Sequence, residues 1–367
     1  MHGDYNDFWM SRDLLPKIDN VRAAVLMAHA FNDWNVVPEH SVRIIDALRG
    51  RVPLQMYFHQ GGHGGAPPLE RMNRWFTRYL YGVDNGVERD PKAWIVREGD
   101  PPPPPPAGGA GRGTRAPTPP PTPYPDYPHP DASFVTLRAQ GGGHGVGALG
   151  PGAARSAGSE TLIDNVAFDA PALARAAQSP HRLLYATAPL AAPVHISGTP
   201  RVTVRLASNR PAANLSVYLV VLPWIDAPIG PWNLITRGWA DPQNHRSLTR
   251  GGNFNSKRRG EPLVPGRFYS LTFSLQPDDQ IVAAGRRIGL MIFSSDRDFT
   301  LWPKPGTELT VDLDGTSLQL PVVGGASAIA PQGPRVDSIQ PTWQTLPYGP
   351  GGAAAAQGNP CPSCWPD

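Results

Sequence analysis

The sequence predicts two unlike parts, α/β and then all-β: an α/β segment followed by an antiparallel β-sandwich of the jelly-roll kind. Three observations lead there. Strand-like apolar runs alternate with amphipathic helices over residues 1–90, period-two alternation sets in from about residue 180, and proline- and glycine-rich stretches lie between. Apolar residues at every third or fourth position mark a helix with one buried face, whereas strict alternation marks a half-buried strand.

Residues 1–20 mix aromatic and charged side chains, with Phe8, Trp9, Leu14 and Leu15 at roughly helical spacing. A first apolar run over residues 21–29 reads as a strand leading to Asp33. Residues 38–48 read as a helix, with Pro38 in its first turn and Gly50 as its stop. A second strand run over residues 52–58 leads to His63. Next comes a helix over residues 68–81, with Leu69, Met72, Trp75, Phe76, Tyr79 and Leu80 on one face and Gly82 at its end. The unit predicts two parallel strands with a crossover helix. Two parallel strands would leave an edge and an apolar face open to water, so the remaining strands are expected upstream of Met1 or in a separate chain.

Residues 93–97 read as a further strand. Residues 99–131 include six consecutive prolines at 101–106 and are expected to form an extended or disordered insert. A second, glycine-rich insert is expected over 141–159. Alternation then marks strands around Val202, Val204 and Leu206, around Leu215, Val217, Leu219 and Val221, around Tyr269, Leu271, Phe273 and Leu275, and around Ile288, Leu290 and Ile292. Asp314-Gly315, between alternating runs at 309–313 and 317–320, predicts a hairpin with a type I′ turn. The expected organisation is an α/β segment at 1–90, a sandwich at 91–325 and a disordered tail at 326–367.

A length of 367 residues fits two domains or a little more, and the 45 prolines and 39 glycines cluster in the inserts and tail. A net charge of +3 gives no basis for a nucleic-acid partner, and Lys257-Arg258-Arg259 reads as a solvated loop. Cys361 and Cys364 stand among prolines, without a helix start to lower a thiol pKa or a second pair for zinc, and read as an incidental tail. No apolar run is long enough to span a membrane, and the polar start does not read as a signal peptide. If translation begins upstream of Met1, that start says nothing about secretion, and the compartment stays open.

Asp33 and His63 are the candidate catalytic residues. An acid and then a base, each just past a strand, form the back half of a Ser…Asp…His order in which the serine comes earlier. No Gly-x-Ser-x-Gly turn occurs in the chain, and neither Ser11 nor Ser41 has such a turn around it. The competing reading of Asp33 is a helix N-cap, a role that Asn35, nearer Pro38, can also take. His63 lies among Gly61, Gly62, Gly64 and Gly65, as a mobile base requires. His59 competes as base, but within the strand run it is expected to pack. A metal site from His29, Asp33, His59 and His63 would need His59 and His63 on a helix, which Gly61-Gly62 opposes.

Residues 28–36 (AHAFNDWNV) and 58–63 (FHQGGH) resemble the acid and base segments of the X-prolyl dipeptidyl aminopeptidases, relatives of the cocaine-esterase-type hydrolases. Residues 73–82 (NRWFTRYLYG), 208–217 (SNRPAANLSV), 236–240 (TRGWA) and 293–300 (FSSDRDFT) are similar to further segments of that family. The resemblance runs in patches over about residues 1–325. It implies the C-terminal fragment of an α/β-hydrolase domain followed by a jelly roll. It also implies removal of N-terminal Xaa-Pro dipeptides by a serine acyl-enzyme, with no metal or other cofactor, and the chain alone is expected to be inactive for want of the serine. The alternatives are an inactive truncated remnant kept as a β-sandwich binding module and a cocaine-esterase-like acyl ester hydrolase.

By position Asp33 is then the triad acid and His63 the general base, and residues 4–19 are the end of a helical cap that makes Phe8 and Trp9 pocket candidates. Ala30 replaces an expected glycine. The implied partners are a peptide with proline at its second position and the missing amino-terminal catalytic portion, with no nucleic acid and no membrane. Trp239, Asn244 and His245 admit two readings, a sugar platform or a structural loop packed on the catalytic segment, and the second is expected.

Overall fold

The computed structural model describes residues 5–97, 119–152, 157–225, 232–248 and 257–329. After a short helix α1 (Asp7–Met10), a four-stranded sheet is built from β1 (Val25–Ala30), β2 (Leu54–His59), β3 (Ala93–Ile95) and β4 (Thr122–Tyr124), in that spatial order. β1, β2 and β3 are parallel, with Ala30 beside His59 and Phe58 beside Ile95, and β4 is antiparallel to β3. Helix α2 (Glu39–Leu48) joins β1 to β2 and buries Ser41, Val42, Ile45 and Leu48 from one face. Val42 and Ile45 pack with Phe31, Met56, Phe58, Ile95, Tyr124 and Tyr127.

Helix α3 (Leu69–Tyr81) ends at Gly82, whose φ of 71° suits a residue without Cβ. Of the apolar face predicted for it only Trp75 is buried, while Leu69, Phe76 and Leu80 stand exposed.

The first sheet runs past the boundary expected at residue 90. Thr122–Tyr124, inside the expected proline-rich insert, pairs with β3. Pro123 is tolerated because β4 is an edge strand, and Tyr124 holds the strand by turning into the core. Residues 99–118 of that insert lie outside the described residues.

The second sheet has twelve strands: β5 (Ala132–Ala139), β6 (Gly147–Gly150), β7 (Ser159–Ile163), β8 (Arg182–Ala186), β9 (Val194–Gly198), β10 (Arg201–Ser208), β11 (Leu215–Leu222), β12 (Leu234–Ala240), β13 (Tyr269–Ser274), β14 (Asp278–Val282), β15 (Arg287–Phe293) and β16 (Glu308–Val323). Its main path is β12-β11-β15-β8-β6-β5-β16-β10-β13, with β7 and β9 on β16 and β14 on β9. The path nearly closes on itself, because a Cβ on Gly238 of β12 would stand 2.8 Å from the side chain of Leu275, just past β13. The alternating residues of β10, β11, β13 and β15 meet in one core, as their spacing predicts. β11 is buried on its other face too, where Tyr218, Val220 and Leu222 pack with α4 (Ala170–Arg175) and Trp34.

Three expectations are corrected here. The glycine-rich stretch 141–159 carries β6 and the first residue of β7, because the buried Arg182 guanidinium gathers the carbonyls of Gly143, His144, Gly145, Leu173 and Ala176 at 2.5–3.3 Å. Burial pulls the Arg182 pKa down to about 10. Gly147 is required there, since a Cβ would lie 2.1 Å from the Gly141 carbonyl oxygen.

Asp314-Gly315 is not a hairpin turn. β16 continues through it, and the register on β10 shifts between Thr203 and Arg205. The residues in excess form a bulge closed by Thr316 Oγ donating to the Asp312 carbonyl and by the Asp314 N–H donating to the Asp312 carboxylate. Both ends of β16 already have antiparallel partners, β7 at Glu308–Asp312 and β5 at Leu318–Val323, so no edge is left for a hairpin.

The expected tail begins with a helical turn, α5 (Ala326–Ile329), whose Ile329 joins the core. Residues 330–367, with Cys361 and Cys364, lie outside the described residues. Among the described residues no helix is long and apolar enough to cross a membrane.

Candidate active site

Because β1 and β2 are parallel neighbours in register, the loops leaving their carboxyl ends face each other. Asp33 lies on the first loop and His63 on the second. His63 Nδ1 is 2.9 Å from Asp33 Oδ2. The other carboxylate oxygen accepts the backbone N–H groups of Asn35 at 3.0 Å and Val36 at 2.9 Å, which fixes the side chain from two sides.

Asp33 is 2 % exposed. Burial acts to raise its pKa, but the hydrogen bonds from Val36, His63 and Asn35 together hold it below the ordinary carboxylate value. The imidazole is 63 % exposed on its side chain, and its Nε2 makes no hydrogen bond among the described residues. A carboxylate on Nδ1 holds the neutral ring with its proton there and leaves Nε2 as an acceptor facing outward. That is the arrangement a general base needs.

The competing readings resolve by geometry. Asp33 is not the cap of α2: that position is Pro38, without a side-chain cap, so Asn35 does not serve it either. The α2 N-terminus is met from the second sheet, where Gln276 Oε1 accepts the Glu39 N–H at 3.2 Å. His59 stays in β2, its Nδ1 accepting the Gly61 N–H at 3.1 Å, and its ring lies against Gly61 and Gly65.

His29 is 3.4 Å from Asp33 Oδ2, but its Nε2 is closer, 2.8 Å, to the Val36 carbonyl, to which it must donate. Its Nδ1 then accepts from Ser41 Oγ at 2.5 Å. In this serine–histidine line Ser41 is buried, 7 % exposed, and His29 is half-buried. Trp239 donates from Nε1 to Asp296 at 2.8 Å and meets Trp34, next to Asp33, ring edge to ring face. Phe8 and Trp9 pack edge to face on exposed α1.

Three polar residues that hold this site drew no attention in the sequence, Asn32, Gln60 and Asp279. Gln60 Nε2 donates to the Asp279 carbonyl at 2.7 Å across 219 positions of chain, a distance over which no spacing signal exists.

Comparison with known proteins decides the family. Residues 85–342, well over half of the chain, match the X-Pro dipeptidyl-peptidase C-terminal non-catalytic domain, and residues 1–65 match the X-Pro dipeptidyl-peptidase (S15 family). The chain belongs to the X-Pro dipeptidyl-peptidase family. A Rhodopirellula baltica protein provisionally named Xaa-Pro dipeptidyl-peptidase is 54% identical over 333 residues, covering 90% of this chain and 49% of that protein. The chain spans about half the length of the curated relatives it matches.

Among solved structures, a CocE/NonD family hydrolase from Staphylococcus aureus matches 87% of this chain and 57% of its own, with a TM-score of 0.64 at 12% identity. An aminopeptidase from a marine sediment Thaumarchaeota archaeon matches 88% of this chain and 59% of its own, with a TM-score of 0.63 at 16% identity. The fold is thus shared with that aminopeptidase and that CocE/NonD family hydrolase. In this family member the S15 match contains Asp33 and His63, whereas the C-terminal match begins ahead of β3 and so includes two strands of the first sheet.

Proposed function

We propose that this chain supplies the acid, Asp33, and the general base, His63, of a serine hydrolase that releases Xaa-Pro dipeptides from peptide amino termini. The nucleophile and the oxyanion donors come from a catalytic portion outside this chain. The observation that carries the reading is the buried Asp33 carboxylate on His63 Nδ1 at 2.9 Å with Nε2 left open. In the reaction, Nε2 takes the proton of the incoming serine hydroxyl as its oxygen attacks the carbonyl carbon of proline, and gives it to the amine of the next residue as that leaves. A water, deprotonated in turn by Nε2, then cleaves the acyl-enzyme ester to release the Xaa-Pro dipeptide and return the proton to serine. Asp33 orients the ring and stabilises the imidazolium that forms.

Three features support the incomplete catalytic domain. β1 has a partner on one edge only among the described residues, α3 leaves Leu69, Phe76 and Leu80 exposed, and the chain lacks a Gly-x-Ser-x-Gly turn. A partner portion extending the sheet would cover the open edge. The second sheet, in this reading, is the jelly-roll sandwich at 91–325 that follows an α/β-hydrolase segment at 1–90, with β3 and β4 lent to the first sheet.

The test is a chimera in which this chain replaces the matching stretch of the Rhodopirellula baltica relative. Ala-Pro and Gly-Pro chromogenic amides are expected to be cleaved, and Asp33→Asn to lower kcat by about 10⁴, the order seen when a triad acid is neutralised. Turnover of simple aryl esters alone would assign an esterase instead. Equal rates for the parent and Asp33→Asn chimeras would remove Asp33 from the mechanism.

A further inference from the structure

The region matched as a non-catalytic domain meets the base-bearing loop at its first residue. Gln60, three residues before His63, donates from Nε2 to the Asp279 carbonyl of β14 at 2.7 Å. The same glutamine receives Asn32 Nδ2 on its own carbonyl at 3.0 Å and on Oε1 at 3.2 Å. Asn32 directly precedes Asp33. One side chain therefore joins the acid loop, the base loop and the second sheet.

β14 is itself held firmly at that point. It pairs with β9, placing Asp279 beside Ser197. The Asp279 carboxylate, fully buried, accepts Tyr124 Oη at 3.0 Å and lies 3.0 Å from His195 Nε2. Tyr127 Oη donates to the Asp278 carbonyl at 3.0 Å. Tyr124 lies on β4 of the first sheet, so the anchor is gripped from both sheets. A loop rich in glycine has little stiffness of its own, and a hydrogen bond to a fixed carbonyl supplies what the backbone lacks.

We propose that Gln60 is a positioning residue through which β14 sets the Asp33–His63 geometry, so that the sandwich takes part in preparing the base. The proposal rests on the hydrolase reading for its purpose, and its test does not need turnover. In the full chain labelled with ¹⁵N-histidine, the ring nitrogen shifts of neutral His63 report the ratio of Nδ1–H to Nε2–H tautomers. The parent is expected to hold the Nδ1–H form. Gln60→Met removes the donor to Asp279 and the Oε1 that accepts Asn32 while keeping length, and is expected to lower that ratio by up to about tenfold, the ceiling set by one hydrogen bond of ordinary strength.

Gln60→Asn, one methylene too short to reach Asp279, is expected to do the same and serves if the methionine variant fails to fold. A cooperative thermal transition in either variant shows that the fold persists. An unchanged tautomer ratio in a folded variant overturns the proposal. Absence of the Nδ1–H form in the parent, with no difference on Asp33→Asn, overturns the Asp33–His63 pairing instead and with it the hydrolase reading.

Discussion

Gly65 lies so close to His59 that a Cβ on the glycine would stand 2.3 Å from the ring Nε2. Its φ of 106° also lies where side chains are rarely tolerated. The loop carrying His63 therefore closes over His59 only because residue 65 is glycine. Gly65→Ala is expected to cost about 1–3 kcal/mol and to displace His63 from Asp33. Denaturant unfolding together with the His63 tautomer ratio checks this. A variant as stable as the parent with the pairing intact would show that the loop has other ways to close.

Two buried carboxyls give opposite pH dependences. The Asp33 pKa is lowered on folding, so its contribution to stability is complete above the ordinary value of 3.8 and is lost as pH falls through the folded value. Burial pushes the Asp278 carboxyl well above that same value. Its cost is therefore absent below 3.8, where folded and unfolded chains are both protonated, and grows as pH rises from there. Asp278→Asn keeps an oxygen for the Asp279 N–H, which Asp278 Oδ1 accepts at 2.8 Å, and is expected to stabilise the chain at pH 7. The gain should shrink as pH falls toward 4 in urea titrations. A gain independent of pH would contradict this assignment.

Ser41 donates to His29 Nδ1 but is buried, and His29 gives its one ring proton, on Nε2, to the Val36 carbonyl. A fluorophosphonate probe is expected to leave the isolated chain unlabelled, Ser41 included, because that hydroxyl is buried and no Gly-x-Ser-x-Gly turn presents a serine. Ser41→Ala is expected to cost about 1 kcal/mol through the lost hydrogen bond. Labelling that Ser41→Ala abolishes, seen by mass spectrometry, would make this serine a nucleophile.

Arg182 holds five carbonyls with no carboxylate against its guanidinium among the described residues. Arg182→Met fills most of the volume but strands those oxygens in the interior, at a cost of about 3–5 kcal/mol. Hydrogen exchange of the 141–150 backbone should rise along with the fall in unfolding free energy. Stability within 1 kcal/mol of the parent, taken as about the worth of one hydrogen bond, would mean that water replaces the guanidinium.

Much of the local structure was legible in residue order. Helices α2 and α3 begin within one residue of their predicted starts and end as predicted, because Pro38, Gly50 and Gly82 punctuate an apolar spacing of three to four. Asp33 and His63 stood out because each follows a strand run by a few residues, so parallel pairing alone brings them together. Asp314-Gly315 misled, since a two-residue turn signal speaks only for its own backbone. The paths of β7, β5 and β10 along β16 left those residues to form a bulge. Likewise the glycines at 141–147 look unstructured until Arg182, some forty positions on, gathers their carbonyls.

Residue order by itself determined where helices α2 and α3 and strands β1, β2, β10, β11, β13 and β15 lie, and it singled out Asp33 and His63 as the pair to propose as acid and base. These depend on neighbours within a turn or two of chain. Tertiary structure alone decided that β3 and β4 join the first sheet, that β14 holds the base loop through Gln60, and that His59 lies against glycines. Edge pairing and side-chain packing join residues far apart in the chain, and their energies settle only when every competing edge and face has found its place.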